Sequence, residues 1–461
     1  MKKMHIGFLI LMLVFGLTSC GIYNRYDRKE SVREDLYGDN LLISTNDTVN
    51  FGTWNWKEVF TDVRLQALID SALVRNVDLR KAHLDVQAAE ALLMSAKLAY
   101  LPSFALNPQA SASYLPSAGT TSTSYNLPVT ASWEIDVFGK ATNRKRSAAE
   151  ALQQTREYEQ AVRCQLIAAV ANLYYTLMTL DEQLAISNET AANYQKSVTV
   201  TRQLMEAGQS NDIALAQTEA AWYAVQASLE DLRQQRILAE NALALLLSDT
   251  PHAIVVNTWQ EQTFPEAFPV GIPLELLANR PDVRMAEAAL AQAFYETNAS
   301  RAAFYPSLVL SGSGGWTNAI GGAIVDPAEF LGSALASLTQ PLFAQGQLTA
   351  QLRAAKARQE QASLTFEQTL LSAGNEVNEA FLHYQTARKK TASLNDQVAA
   401  LKRAADQTAW MMEYGHVTYL EVIAAQQSYL SAQLAASANR LAYVQGIISL
   451  YSALGGGAER E

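Results

Sequence analysis

Two periods of hydrophobic spacing divide the chain. After Pro102-Ser103, Phe104, Leu106, Pro108, Ala110, Ala112 and Tyr114 alternate with Ala105, Asn107, Gln109, Ser111 and Ser113, the period of two that gives a strand one apolar face. Residues 125–137 repeat it, with Tyr125, Leu127, Val129, Ala131, Trp133, Ile135 and Val137 against Asn126, Thr130, Ser132, Glu134 and Asp136. Leu308 to Trp316 and Phe330 to Leu342 carry the same pattern later, with Gln340 interrupting the apolar series. The spacing predicts four strands, about 104–114, 125–137, 308–316 and 330–342. Each is near the 9–11 residues that a tilted transmembrane strand needs, with aromatic residues near its ends. For any one of them alone, an ordinary sheet with one wet face explains the pattern as well. Pro108 and Pro128 cannot donate to a ladder, which predicts bulges there, and the Thr/Ser/Gly-rich stretch 117–124 predicts a loop.

Elsewhere the period is helical. Lys140 to Ala207 contains neither Gly nor Pro, and as one helix would run on the order of 100 Å at 1.5 Å per residue. Within it Val162, Leu166, Ala169, Leu173, Leu177, Leu180 and Leu184 step by three and four, the stripe of a coiled coil. All 12 prolines lie outside residues 129–250 and 342–461, which leaves room for very long helices in both stretches. Gly208 to Asn211 and Gly415 to Thr418 interrupt them, and helical pattern resumes at once. Each interruption reads as the tip of a helical hairpin.

The two stretches belong to a duplication. A shift of 204 positions lays residues 76–103 on 280–307 without a gap, matching Asp78, Arg80, Ala82, Pro102 and Ser103 to Asp282, Arg284, Ala286, Pro306 and Ser307. Each copy reads as helix, two strands, then long helices, with the first copy at 61–250, a linker at 251–273, the second copy at 274–457 and a tail at 458–461. Four strands cannot close a membrane barrel, since bacterial ones start at about eight. Two copies of the chain would supply eight strands and three copies twelve, the wider barrel leaving more room for an open lumen.

The N-terminus reads as an address. Lys2 and Lys3 precede an apolar run from Ile6 to Leu17, and Leu17-Thr18-Ser19-Cys20 follows. The run is too short to span a bilayer but suits a secretory signal, here 1–19. The tetrapeptide resembles a bacterial lipobox, which implies cleavage before Cys20 and a covalent lipid on it, followed by an extended segment over 20–60. The plainer alternative is a signal peptide with a chance cysteine. No other segment offers 18 apolar residues, so membrane entry falls to the strands. Net charge is -10, which argues against nucleic acid as a partner. With Cys20 and Cys164 the only cysteines, a disulfide scaffold is excluded. Cys164 reads as a small apolar filler.

With these elements in place, the sequence resembles the TolC-type outer-membrane factors, in particular the NodT-like lipoprotein branch serving resistance-nodulation-division (RND) efflux. The resemblance rests on Phe60-Thr61-Asp62 with Leu65-Gln66-Ala67-Leu68-Ile69, on Asn76-Val77-Asp78-Leu79-Arg80-Lys81-Ala82, and on Trp133-Glu134-Ile135-Asp136-Val137-Phe138-Gly139. It continues through Asn279-Arg280-Pro281-Asp282-Val283, Ala302-Ala303-Phe304-Tyr305-Pro306-Ser307 and Leu450-Tyr451-Ser452-Ala453-Leu454-Gly455-Gly456-Gly457. It implies an α+β membrane protein, a homotrimer whose twelve-stranded transmembrane β-barrel is continued by a long antiparallel coiled-coil barrel of helices through the periplasm. A Gram-negative outer membrane and its lipid are the implied setting. A periplasmic adaptor (membrane fusion protein) and an inner-membrane RND transporter are the implied partners, the adaptor meeting the tips Gly208, Gln209, Ser210, Asn211, Gly415, His416, Val417 and Thr418.

In that family two acidic side chains ring the closed periplasmic end, six and nine residues after the second hairpin's glycine. Counting from Gly415 gives Glu421 and Ala424, so one acid of the two is present. A ring of Glu421 would favour cations; a solvated helix-surface glutamate is the plain alternative. Val417 and Met412 stand where some relatives carry an aperture lock of Arg and Tyr. Glu134 and Asp136 are implied to face the lumen near the barrel base.

Signals for chemistry fail. Glu413 and His416 straddle a glycine, and Glu379 with His383 lacks a facing partner, so a di-iron bundle is not specified. Gly312-Ser313-Gly314-Gly315 opens no helix and no Lys follows, so it is no phosphate loop. The expectation is a passive efflux duct for small toxic compounds or ions, with no catalytic residue, metal or cofactor beyond the lipid on Cys20. Export of polypeptides in a type I secretion system is the alternative within the fold, and a structural periplasmic coiled coil the alternative outside it.

Overall fold

A computed structural model describes residues 22–27, 51–117, 119–264, 279–318, 330–414 and 417–458. The signal segment, Cys20, the end of the inter-copy linker, and Gly415 with His416 lie outside them. The described chain is helix-rich α+β, and it divides into two units. One comprises Met1–Glu30, Leu84–Arg156 and Met285–Gln368; the other comprises Ser31–His83, Glu157–Arg284 and Thr369–Glu461. Its elements are α1 (Trp56–Val59), α2 (Val63–Arg75), α3 (Val77–Leu98), β1 (Ser103–Leu106), β2 (Gln109–Leu115), β3 (Thr120–Ile135), α4 (Lys140–Glu206), α5 (Asp212–Leu246), α6 (Pro281–Ala302), β4 (Ser307–Asn318), β5 (Phe330–Thr339), α7 (Gln347–Glu413) and α8 (Tyr419–Ala453).

The first unit holds one antiparallel sheet in the order β1-β3-β4-β5, with β2 beside β1 on the same edge of β3. Leu106 pairs with Val129 and Gln109 with Asn126, so the register passes Pro108 without a slip. The bulges expected at Pro108 and Pro128 are therefore absent. Asn107–Pro108 simply leaves the ladder, with the Asn107 N–H donating to Pro128 O at 3.2 Å. Pro128 stays within β3 because its partner in β4 is Gly315. A Cβ there would lie 2.2 Å from Leu127 O and 2.6 Å from Pro128 Cα, so only glycine allows β4 this close to the proline.

Residues 120–124, expected in a loop, are strand. Thr121 to Ser124 pair with Ser111 to Tyr114 in register, and Ser111 and Ser124 share a hydroxyl bond of 2.7 Å. Thr121 and Thr123 pair with Tyr114 and Ala112, and Ser124 with Ser111, so the polar run spans both faces of the strand; β-branched Thr suits extended backbone. β5 ends at Thr339 rather than Leu342, because Pro341 removes a donor and restrains Gln340.

The second unit is packed helices. α4 and α7 are each 67 residues long, α5 and α8 each 35. Along α4 the buried face is broader than the leucine stripe. Val170, Ala171, Tyr174, Tyr175 and Met178 are buried beside Leu166, Leu177 and Leu180, whereas Leu173 is only half-buried. Phe51, Phe60 and Tyr451 meet edge to face at 5.2 and 6.0 Å between ring centres, in a core completed by Leu65, Ile69, Ile447 and Leu454. Cys164 is buried, and burial pushes its thiol up to about 12, so it is an unreactive filler.

Candidate functional site

The register sorts the sheet into two faces. On one lie Phe104, Leu106, Leu127, Val129, Ala131, Trp133, Ile135, Leu308, Leu310, Trp316, Phe330 and Leu338, joined by cross-strand pairs such as Trp133 with Leu310 and Leu308 with Leu338. Phe104 is 71% exposed and Leu338 68%. Burying each such side chain in hydrocarbon is worth about 1.5–3 kcal/mol. Among the described residues the face carries no Asp, Glu, Lys, Arg or His. Across the sheet run Asn107, Ser111, Ser124, Asn126, Thr130, Ser132, Ser311, Ser313 and Ser333, interspersed with Val309, Leu331 and Leu335, with the Ser313 and Ser333 hydroxyls 2.8 Å apart. This sheet can stand between hydrocarbon and water.

At the sheet's end the two predicted carboxylates are both engaged. Asp136 accepts from the backbone N–H of Ala141 and Thr142 at 2.9 and 2.7 Å and from the Thr142 hydroxyl at 2.6 Å. It thereby caps the start of α4. Glu134 pairs with Lys140 at 2.8 Å. Residues 22–27 are tied to the same corner: Asn143 donates to Ile22 O at 2.8 Å, Arg146 to Tyr23 O at 3.1 Å, and the Tyr23 hydroxyl to Val137 O.

In the second unit the tips are built by capping. The N–H groups of Gln209 and Ser210 both reach Leu204 O at 2.8 and 3.2 Å, closing α4 around Gly208 at φ +73° as C-terminal helix motifs do. Asn211 accepts from the Ala214 N–H at 2.9 Å and starts α5. At the other tip Val417 and Thr418 lead into α8, where the Glu421 carboxylate accepts from the Thr418 N–H at 2.7 Å and from its hydroxyl at 3.1 Å. That is the carboxylate half of a capping box, and Thr418-x-x-Glu421 was legible as one in the sequence. Glu421 is exposed. The Tyr419 hydroxyl donates to Gln217 at 2.7 Å, joining the two hairpins. Among the described residues no three His, Cys, Asp or Glu side chains converge as a metal site, and Glu379 accepts from Asn375 at 2.7 Å.

The motifs quoted from the sequence turn out to be joints. Arg280 is buried; it donates to Asp282 at 2.9 and 2.6 Å, to Glu376 at 2.6 Å and to Ala453 O at 2.9 Å. It thus fastens the start of α6, the middle of α7 and the end of α8. Asn76 does the like at the start of α3, donating to Leu246 O at the end of α5 at 2.9 Å.

Asp62 is a hub that sequence reading missed. It caps α2 through the Arg64 N–H at 2.8 Å and also accepts from Tyr174 at 2.7 Å, Gln262 at 2.6 Å and Asn257 at 3.0 Å. Burial alone would raise its pKa, but the bonds from Tyr174, Gln262 and the backbone of Arg64 and Leu65 outweigh it and hold the carboxyl below its usual range. A lowered folded pKa means that the ionised form is the one the fold prefers. Its contribution is complete above the unfolded value near 4 and disappears as pH falls through the folded value. Asp62→Asn should therefore lose roughly 1.5–3 kcal/mol at neutral pH, the worth of a bond to a charged group. Denaturant unfolding should show the gap to the parent closing below about pH 4; a gap that persists there would mean that the charge is not what matters.

Comparison with known proteins follows the same lines. The family model for outer membrane efflux proteins matches residues 68–248 and 272–456. The cation efflux system protein CusC of Escherichia coli K12 is 29% identical over 453 residues, covering 96% of this chain and 98% of CusC. The outer membrane protein OprJ of Pseudomonas aeruginosa is 28% identical over 475 residues, covering 99% of this chain and 97% of OprJ. The open-state structure of the MtrE outer membrane channel of Neisseria gonorrhoeae superposes with a TM-score of 0.85 at 30% identity, covering 96% of this chain and 99% of MtrE.

Proposed function

The chain belongs to the outer membrane efflux protein family, and on that premise we propose that it is the exit duct of a tripartite efflux system, a homotrimer with no chemical step of its own. It is an outer-membrane protein, as its relatives are. The observation that carries the reading is the sheet with one apolar face and one hydroxyl face. Among the described residues its pairing ends at β1 and β2 on one side and β5 on the other. Each chain thus supplies four strand positions with open edges, and three chains supply the twelve of a barrel wide enough for a lumen. A purely periplasmic coiled coil has no use for such a face. Duplication is supported by the equal lengths of α4 and α7 and of α5 and α8, by the two segments that the family model matches, and by Asn76 and Arg280 fastening equivalent helix ends.

In this reading the barrel is continued by a helical tunnel whose tips, Gly208–Asn211 and Gly415–Thr418, receive a periplasmic adaptor. The adaptor in turn receives small toxic compounds or ions from an inner-membrane RND transporter. Cys20 carries the lipid, Glu134 and Asp136 face the lumen, and Glu421 rings the periplasmic aperture. Glu134 enters with its charge balanced by Lys140 and Asp136 with its oxygens taken by the start of α4, so in this reading the aperture sets ion preference.

The test is single-channel conductance of the purified, lipidated protein in a planar bilayer, with its mass measured in detergent. Long-lived steps from a trimer are expected; a monomer without inserted strands would overturn the reading. Glu421→Gln isolates the aperture, because glutamine preserves a capping box while removing the charge. Its cation-over-anion permeability ratio should fall several-fold toward unity, with stability within about 0.5 kcal/mol of the parent. An unchanged ratio would remove Glu421 from the constriction.

A further inference from the structure

The helices that flank the sheet are charged the wrong way round for their own dipoles. A helix N-terminus is partly positive and favours acidic side chains. α4 nevertheless opens with Lys140, Arg144, Lys145 and Arg146, and no acid occurs before Glu150; α7 offers Arg353, Lys356 and Arg358, and no acid before Glu360. The chain as a whole is acidic, so bulk composition does not explain these runs. Nor do the helix ends require them, since Asp136 already takes the first N–H groups of α4.

Their place in the first unit is specific. Ser103 pairs with Ser132, Ile135 with Leu308, and Ser307 with Thr339, so those residues mark one end of the sheet. α3 and α6 arrive at that end and α4 and α7 leave it. An aromatic band marks it too. Trp133 donates its indole N–H to Tyr100 O at 2.8 Å, Phe104 is exposed beside them, and Lys145 Nζ stands 5.3 Å from the centre of the Tyr100 ring. Aromatic residues at this depth mark the boundary between hydrocarbon and headgroups. Arg144 is four residues into α4, on the order of 6 Å along the helix, within a headgroup layer about 5–7 Å deep; Arg353, six residues into α7 at on the order of 9 Å, lies just past that depth with a side chain that leans back toward the helix start. Arg144, Arg353, Lys356 and Arg358 are exposed, and among the described residues none of them makes an ion pair.

We propose that this basic collar, chiefly Arg144, Lys145 and Arg353, binds the phosphate headgroups of anionic phospholipids in the periplasmic leaflet of the outer membrane. The proposal rests on the outer-membrane duct reading. Apolar sheet face, aromatic band and basic collar then follow one another in the order of acyl chains, interface and phosphate. Lys145 links band and collar, its ammonium standing over the Tyr100 ring.

The experiment uses the full lipidated protein in vesicles of phosphatidylcholine with and without phosphatidylglycerol, and counts retained lipids by native mass spectrometry. The parent should retain phosphatidylglycerol in preference. A variant carrying Arg144→Gln, Lys145→Gln and Arg353→Gln should lose the preference by about fivefold per charge removed, while one carrying Arg144→Lys, Lys145→Arg and Arg353→Lys should keep it. A parent without preference, or a glutamine variant as selective as the parent, overturns the collar. Displacement of the lipid by soluble peptidoglycan fragments would overturn the lipid assignment in favour of the cell wall. Conductance of the same vesicles separates the two readings: a protein that conducts without lipid preference refutes the collar alone, and one that never inserts refutes the duct and the collar with it.

Discussion

A Gly455→Ala chain should be about 2–5 kcal/mol less stable than its parent. Gly455 follows α8 at φ +82°, where any side chain costs about 1–2 kcal/mol. Its added Cβ would also stand 2.3 Å from Asn279 O and 2.6 Å from Asn279 C. Those are backbone atoms of the residue preceding Arg280, whose guanidinium is fixed by Asp282, Glu376 and Ala453 O. The backbone cannot yield without loosening that joint, which adds about 1–3 kcal/mol of overpacking. Thermal unfolding followed by helical circular dichroism measures the sum. Gly208→Ala is the control: its φ is +73° but nothing lies within 4 Å of the added Cβ, so it should show the strain alone, about 1–2 kcal/mol. Equal losses at the two positions would refute the close packing at Gly455.

The second large effect belongs to the sheet. Gly315→Val drives side-chain atoms into Leu127 O and Pro128 Cα, already 2.2 and 2.6 Å from a bare Cβ. Pro128 cannot move aside by rotating about its own φ, because its ring fixes it. β3 and β4 must therefore part at the centre of the sheet, at a cost of about 3 kcal/mol or more, roughly a hundredfold in the population of paired strands. The expected result is loss of vesicle-floating, heat-modifiable oligomer on unheated gels. Gly332→Ala, whose added Cβ meets only Phe330 Cε1 at 3.8 Å, should float and assemble like the parent. A Gly315→Val protein that still assembles would mean that the two strands are not paired in this register.

Legibility in the sequence followed the range of the interaction. Strand alternation, helix length and hairpin tips depend on neighbours within a few positions, and Phe104 to Tyr114 or Lys140 to Ala207 announce them directly. The expected loop at 117–124 failed because an unbroken run of Thr and Ser shows no alternation, and only the partner strand, Ser111 to Tyr114, tells it from a turn. The expected bulges failed for a related reason: Gly315, 187 residues after Pro128, is what accommodates the proline. Asp62 shows the limit most plainly, since its partners Tyr174, Asn257 and Gln262 lie 112, 195 and 200 residues away. Glu421 stands out by its count from Gly415, and its bond to Thr418, three residues away, is equally local. The family motifs were visible as strings, but that Asn279-Arg280 abuts Gly455 is known only from the fold.

The pairing of β3 with β4 fixes the order of events when the chain is made. Ile135 and Leu308 are 173 residues apart, Tyr125 and Asn318 193, so the sheet's central seam can close only after just over two thirds of the chain has been made. Until then β1, β2 and β3 form a lone hairpin with an apolar face and a free edge, the kind of segment that pairs with the wrong chain. High sequence separation also slows closure. The yield of assembled protein should therefore respond more to factors that shield exposed strands of its first half than to those that accelerate helix formation.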